Sequence, residues 1–304
     1  MVRGQKKYAF IRAYFFKFAK IKVMQILDGK AVAAQVRAEV AEEVLELKAR
    51  GISPGLGTIL VGDDAASATY IGAKHRACEE AGIASIHRQL PASASQSDVL
   101  NAIEEFNSDA KVHAYIVQLP LPKGLDEGAA LMAIDARKDA DGLHPVNLGK
   151  LVMGAPGAIP CTPAGIIELL VRHNVAIEGR HVVIVGRGLT VGRPLALLLA
   201  MKRPHCNAAV TVVHTGVKNL ADYTQQGDIV VVAAGFPNLL KPEMIKRGAA
   251  IVGAGISREG NRIVSDVDES CAEIAGWMTP RVGGVGPMTV AMLLQNTVRA
   301  AAKE

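Results

Sequence analysis

Lys74 follows Tyr70 by four residues in the run Ser67-Ala68-Thr69-Tyr70-Ile71-Gly72-Ala73-Lys74. On a helix that spacing puts both side chains on one face. A lysine in a dry pocket gives up its proton near neutral pH and becomes a general base, and a tyrosine offers a ring for stacking. The same spacing also describes an exposed lysine laying its stem on a tyrosine. Gln118 ends the apolar run Ala114–Val117, just before Leu119-Pro120-Leu121-Pro122. Open α/β sheets bind ligands outside the carboxyl ends of such strands. Asp139 and Asp141 stand in a turn closed by Gly142 and Pro145. A carboxylate is a natural acceptor for the paired N–H edge of an aminopyrimidinone, and either acid would equally serve ordinary turn chemistry. His144, before a proline, reads as structural.

A second chemistry-bearing run is Val182-Val183-Ile184-Val185-Gly186-Arg187-Gly188-Leu189-Thr190-Val191-Gly192, a strand, a glycine loop and a helix start. Glycines let the backbone approach a pyrophosphate, and the helix N-terminus offers it free N–H groups. The spacing is Gly-x-Gly-x-x-x-Gly, one residue longer than the usual dinucleotide fingerprint, and a tight βα turn needs glycine in any case. The next strand, Val210–Val213, ends 27 residues after Gly186 and runs into His214-Thr215-Gly216 without the acid that would hold a ribose 2′-hydroxyl. Arg187 and a hydroxyl suit a 2′-phosphate instead, which favours NADP over NAD.

The elements that must position these groups alternate from the start. Helical spacing of Val32, Val36, Val40, Val44 and Leu47 predicts a helix over Lys30–Arg50. Strand and helix then alternate through Leu56–Val61, Ser67–Gly82, Ser85–Leu90, Ser97–Ser108 and Ala114–Val117. The pattern restarts with Thr162-Pro163 opening a helix over Ala164–His173, then strand His181–Val185 and helix Pro194–Met201. Apolar strands follow at Val210–Val213, Ile229–Ala233 and Ala250–Val252, completing a sheet by about Ile256, and Thr289–Ala302 forms a last helix. The order predicts an α/β fold of two domains, each a mostly parallel sheet with helices, the second a Rossmann-type dinucleotide-binding domain.

Composition removes other classes. The net charge is +5, yet residues 1–23 hold seven basic residues and no acid, leaving 27 basic against 29 acidic residues in 24–304. That body has no basic excess to suggest nucleic acid. Residues 1–23 also hold six of the twelve aromatics. They are set aside as a basic aromatic extension, expected to be disordered or the product of a start assigned too early. No apolar run reaches the length of a membrane span. The four scattered cysteines form no Cys-x-x-Cys pair, and the histidines show no metal-ligand spacing, so no metal and a reduced, cytoplasmic setting are expected.

Six ordered runs carry a resemblance over nearly all of 24–304. They are Ser67-x-x-Tyr70-x-x-x-Lys74, Tyr115-Ile-Val-Gln-Leu-Pro-Leu-Pro122, Lys138-Asp-Ala-Asp-Gly-Leu-His-Pro145, Pro160-Cys-Thr-Pro-Ala-Gly165, Gly186-Arg-Gly-x-x-Val-Gly-Arg-Pro194 and Gly283-Gly-Val-Gly-Pro-Met-Thr289. In these the chain resembles the bifunctional methylenetetrahydrofolate dehydrogenase/methenyltetrahydrofolate cyclohydrolase family. The resemblance implies NADP-dependent oxidation of 5,10-methylenetetrahydrofolate, hydrolysis of the methenyl product to 10-formyltetrahydrofolate, and a homodimer formed through the nucleotide domains. It implies that Lys74 is catalytic, that Gln118 positions it, and that Tyr70 stacks on the folate. Asp141 would anchor the pterin and Gly284 would border the substrate. Gly186, Arg187, Gly188, Thr215 and Ile256 would contact NADP.

The expected division is a folate-binding catalytic domain of 24–163 plus 287–304, and an NADP-binding domain of 164–286. Three departures from the family pattern stand out. Gly188 replaces a common serine, Gly253 replaces the acid of an Ile-Asp-Val-Gly-Ile run, and Val282 replaces a proline. Two other readings compete: another two-domain NADP dehydrogenase of the shikimate type, and a non-catalytic folate- or nucleotide-binding paralogue. Intact Lys74 speaks against the second and Gly253 for it.

Overall fold

The structure, a computed structural model, describes residues 24–62, 65–260 and 262–303, with the side chains of 65–71 and 258–259 also outside the description. The extension 1–23 lies outside the described residues. In chain order the elements are β1 (Gln25–Ile26), α1 (Gly29–Ala49), β2 (Gly55–Val61), α2 (Ala65–Ala81), β3 (Ala84–Leu90), α3 (Gln96–Ser108) and β4 (Ala114–Val117). Next come α4 (Glu127–Ala133), α5 (Pro145–Met153), α6 (Cys161–Arg172), β5 (His181–Val185), α7 (Gly192–Ala200) and β6 (Ala209–Val213). The chain finishes with α8 (Ala221–Thr224), β7 (Ile229–Val232), β8 (Ala250–Gly253), β9 (Ile256–Glu259), β10 (Arg262–Ser265), β11 (Trp277–Met278) and α9 (Val285–Ala301).

Two parallel sheets result. One has the order β3-β2-β4 and the other β1-β11-β8-β7-β5-β6, while β9 and β10 pair as an antiparallel hairpin. The inner strands β5, β7 and β8, with β2 and β4 of the smaller sheet, are buried on both faces, whereas the edge strands β3 and β6 are largely open. In β5, Val182 and Ile184 face one core while Val183 and Val185 face another, the alternation a pleated strand imposes.

Between the sheets lie α1, α6 and α9. The Asp28 carboxylate caps α1 by accepting from the Ala31 N–H, and Val32, Val36, Val40, Val44 and Leu47 form its buried stripe. Each such side chain stabilises by roughly 1.5–3 kcal/mol on burial. Helix α9 packs on α1 and α6 and also touches α2, β2 and β4. One continuous core therefore runs from β2 and β4 through these helices to β5, β7 and β8.

The structure corrects the sequence reading at several ends. Helix α6 starts at Cys161, with Pro160 at its N-cap, so Pro163 sits inside the first turn rather than opening the helix. Pro287 does the same in α9, which starts at Val285 and not Thr289. Proline is tolerated there because first-turn N–H groups have no intrahelical partner. The larger sheet is not complete by Ile256: β11 and β1 extend it, and β1 pairs with β11 rather than joining the smaller sheet. Helices α4, α5 and α8 were not expected.

Candidate functional site

Gln118 follows β4 at the carboxyl end of the smaller sheet, where the chain passes from β2 to β3 on one side and then crosses back to β4 on the other. Its N–H donates to the Ile59 carbonyl at 2.9 Å. Its side-chain Nε2 donates at 2.7 Å to the Leu119 carbonyl, which belongs to the cis Leu119–Pro120 peptide. That fixes the amide so that Oε1 accepts from Lys74 Nζ at 2.9 Å. Lys74 comes from α2, the helix after β2, and is half-buried. Burial pulls its pKa down from the ordinary lysine value, and the Asp141 carboxylate opposes this more than any other group. Tyr70 lies on the same helix one turn earlier, and its side chain is outside the described residues.

The two turn acids separate in role. Asp139 is buried and spends its carboxylate on the turn: Oδ1 accepts from the Gly142 N–H at 3.0 Å, and Oδ2 from the His144 N–H at 2.8 Å and from Asn147 Nδ2 at 2.9 Å. His144 caps α5, its Nδ1 accepting from the Val146 N–H at 3.1 Å. Asp141 makes no side-chain hydrogen bond among the described residues. Burial raises its carboxyl pKa while Lys74 pulls it down, so the two groups act on each other. The Asp141 carbonyl accepts from the Cys161 N–H at 3.2 Å, which ties this turn to the start of α6. Burial, then the two aspartates, push the Cys161 thiol well above its ordinary value and keep it neutral.

Sequence reasoning missed Asn296. It is buried on α9, and its Nδ2 donates to the carbonyls of Ala140 and Ile159, each at 2.9 Å. It thereby holds both flanks of the Asp141 turn and the approach to α6. The available signal was a lone amide on the stripe shared by Met292 and Leu293, where a buried polar group must find partners.

The glycine loop sits at the corresponding switch point of the larger sheet, between β5 and β7. Gly186 has φ +120°, and a Cβ there would overlap the Ala233 carbonyl at the end of β7. Its N–H donates to the Val213 carbonyl at 2.8 Å. Arg187, Gly188 and Thr215 are exposed around this crevice, and Ile256 is 48% exposed. A glycine-rich loop at a helix N-terminus that carries an exposed arginine fits a dinucleotide phosphate. No acid stands at the end of β6, as the sequence indicated. Gly284 is buried at the start of α9 against Thr279, and Gly283 accepts from the Lys30 N–H at 2.8 Å. The structure thus brings Lys74, Gln118 and Asp141 into one cluster and gathers Gly186, Arg187 and Gly188 on one loop. Among the described residues no group of acidic, histidine and cysteine side chains could hold a metal, and no helix is long and apolar enough to cross a membrane.

Two family profiles match the chain. "Tetrahydrofolate dehydrogenase/cyclohydrolase, catalytic domain" matches residues 27–141, and "Tetrahydrofolate dehydrogenase/cyclohydrolase, NAD(P)-binding domain" matches residues 160–304. A curated relative, "Bifunctional protein FolD" of Syntrophotalea carbinolica, is 58% identical over 277 residues, 91% of this chain and 96% of that one. The crystal structure of the bifunctional FolD enzyme of Campylobacter jejuni superposes with TM-score 0.88 at 43% identity, covering 92% of this chain and 99% of that one. The Trypanosoma brucei enzyme, solved with NADP cofactor and inhibitor, gives TM-score 0.86 at 39% identity over 92% of this chain and 98% of that one.

Proposed function

The chain belongs to the tetrahydrofolate dehydrogenase/cyclohydrolase family, and we propose that it oxidises 5,10-methylenetetrahydrofolate with NADP and hydrolyses the methenyl product to 10-formyltetrahydrofolate. The observation that carries this reading is the Lys74–Gln118 hydrogen bond of 2.9 Å beside Asp141, at the ligand-binding end of the smaller sheet. Bound NADP supplies the hydride acceptor. For the oxidation the chain's own task is to orient the folate, with stacking as the role of Tyr70 and the paired N–H edge as the partner of Asp141.

Hydrolysis needs a base. The methenyl carbon is cationic, and a charged Lys74 would repel it, so the lowered pKa suits the amine to its task. One N–H of neutral Lys74 stays donated to Gln118, which leaves the lone pair for a water molecule. As water oxygen bonds to the methenyl carbon, its proton passes to Lys74 and a neutral carbinolamine forms. When a ring C–N bond then breaks, the hydroxyl proton ends on the freed nitrogen and the formyl group remains. Each turnover releases one proton through Lys74.

Around the nucleotide, Gly186, Arg187, Gly188, Thr215 and Ile256 form the contacts, with Gly284 at the substrate border. The folate-side unit is 24–163 with 287–304 and the nucleotide-side unit 164–286, with β1 added to the larger sheet. The enzyme works as a homodimer. Strand β6 is a sheet edge, and Val212 and Leu197, 38% and 36% exposed, share an open apolar hollow with Val152, Val210 and Met201. Such an edge is suited to a second copy. The setting is cytoplasmic, since all four cysteines are free and buried, and the partners are folates and no nucleic acid.

The test is absorbance of methenyltetrahydrofolate after methylenetetrahydrofolate is mixed with protein and either NADP or NAD. Formation with NADP, followed by accelerated decay, is expected. No turnover with either nucleotide would restore the non-catalytic reading.

A further inference from the structure

Asp266 lies beneath the nucleotide crevice, between the end of β10 and the loop that follows β7. It is fully buried. One carboxylate oxygen, Oδ2, accepts from two successive backbone donors, the Ala234 N–H at 2.7 Å and the Gly235 N–H at 2.8 Å. Its own N–H donates to the Gly255 carbonyl at 3.1 Å. A Cβ on Gly255 would overlap the carboxylate, so the glycine is what lets the acid in. The other oxygen, Oδ1, is buried with no hydrogen-bond partner among the described residues. One side chain therefore fastens two segments that both border the crevice. The first begins at Ala233, whose carbonyl packs beneath Gly186, and the second leads directly into Ile256.

A buried carboxylate with an unpaired oxygen is costly. Its retention calls for a return that apolar packing could not give, and the contacts name it: two donors are held, and two loops are kept at fixed separation. We propose that Asp266 is a positioning residue for NADP, presetting the loop after β7 and the Gly255–Ile256 segment so that the nucleotide meets a formed crevice. Because its oxygen occupies the Ala234 and Gly235 donors, those N–H groups are withheld from phosphate, which is left to the Gly186–Gly192 turn. This inference rests on the nucleotide site proposed above.

Calorimetric titration of NADP into the full chain tests it, with nucleotide-free hydrolysis of methenyltetrahydrofolate measured on the same preparations. In Asp266→Ala the dissociation constant for NADP rises about tenfold or more, the scale of a lost charge-assisted hydrogen bond. Asp266→Asn keeps one acceptor oxygen for both donors and stays within about threefold of the parent, which isolates the acceptor rather than the bulk. Gly255→Ala drives a methyl group into the carboxylate from the opposite side and weakens NADP as the Ala variant does. Hydrolysis holds within about twofold in all three, as it uses the other sheet's cluster. Unchanged NADP binding in both Asp266→Ala and Gly255→Ala overturns the proposal. So does a parallel loss of hydrolysis in Asp266→Ala that Asn does not rescue, because that marks a role in the fold alone. If Asp266→Ala does not accumulate, Gly255→Ala and Asp266→Asn decide by the same criteria. Failure of the parent itself to bind NADP would instead fault the nucleotide reading.

Discussion

The folate cluster and the nucleotide loop occupy equivalent places, each at the switch point of a parallel sheet, yet they are built from opposite materials. Lys74, Gln118 and Asp141 are side chains from three distant stretches, held by further side chains: Asp139, Asn147 and Asn296. The nucleotide loop is one contiguous turn at a helix N-terminus, suited to offering backbone N–H donors, and at Gly186 and Gly192 it has no room for a side chain. The first site should fail when a side chain is removed, the second when one is added. Hydride acceptance needs only a preformed surface, whereas hydrolysis needs a proton carrier of adjusted basicity, and each site has the material its task demands.

The contrast breaks most sharply at Lys74. Lys74→Met keeps the stem and deletes the amine, so hydrolysis should fall by the ~10²–10⁴-fold typical of a lost general base. NADP affinity by calorimetry should stay at the parent value, since the crevice lies on the other sheet. Near-normal hydrolysis of methenyltetrahydrofolate would take Lys74 out of the mechanism.

A smaller loss is expected at Asn296. Asn296→Leu keeps the branched skeleton but leaves the Ile159 carbonyl without this donor and the Ala140 carbonyl with only the weak Cys161 thiol at 3.2 Å. Losing these bonds costs about 1–3 kcal/mol, so melting temperature should drop. Loosening of the Asp141 turn should raise the KM for methylenetetrahydrofolate about tenfold while that for NADP holds, since about 1.4 kcal/mol of lost positioning is enough. Equal changes in both KM values would show that α9 supports the whole molecule and not this turn.

How much of this was legible in the sequence follows the same division. The strands β4 and β5 and the glycine loop were read to the residue because unbroken apolar runs and glycines are local signals. Lys74, Gln118 and Asp141 were each visible, but the pairing of Gln118 with Lys74 was implied only by the family resemblance, because sequence spacing says nothing about contacts between residues 118 and 74. Asn296 escaped because its partners lie 137 and 156 residues away. Helix α5 escaped because its cap is a histidine and not one of the usual small polar residues. The short strands β1 and β11, of two residues each, carry too little pattern to show periodicity.

Gly253 sharpens the comparison from the side of addition. A Cβ there would stand 2.7 Å from Ser265 Oγ, and that hydroxyl accepts from the Val267 N–H at 3.2 Å. Ser265 thus fills the space of the side chain missing at 253. Gly253→Asp alone should overpack the end of β8 and cost about 1–3 kcal/mol by denaturant unfolding. Pairing it with Ser265→Gly should recover most of that. A single variant as stable as the parent would show that the serine moves aside freely.

Charge gives a subtler effect. Asp141 is the chief group holding the Lys74 pKa up against burial. In Asp141→Asn that support is gone, Lys74 titrates lower, and the neutral base persists into more acidic solution. The acid limb of kcat for hydrolysis, measured with saturating substrate, should therefore move to lower pH. A limb that stays put or moves to higher pH would dissociate Asp141 from the titration of Lys74.

The gentlest change tests whether the nucleotide loop rejects every side chain. Gly186 cannot accept one, but at Gly188 a Cβ would meet no atom within 4 Å, and φ there is not positive. Gly188→Ser should therefore fold as the parent does, within about 0.5 kcal/mol, as expected for an exposed site away from packing. Its hydroxyl can donate to a phosphate oxygen near the N-terminus of α7. In so exposed a place the gain is expected at the low end for hydrogen bonds to charged groups, so the dissociation constant for NADP should fall about threefold. Calorimetry resolves such a change. Weaker binding would mean that the loop closes on the phosphate more tightly than the open space at Gly188 indicates, and that its need for bare backbone extends across the whole turn.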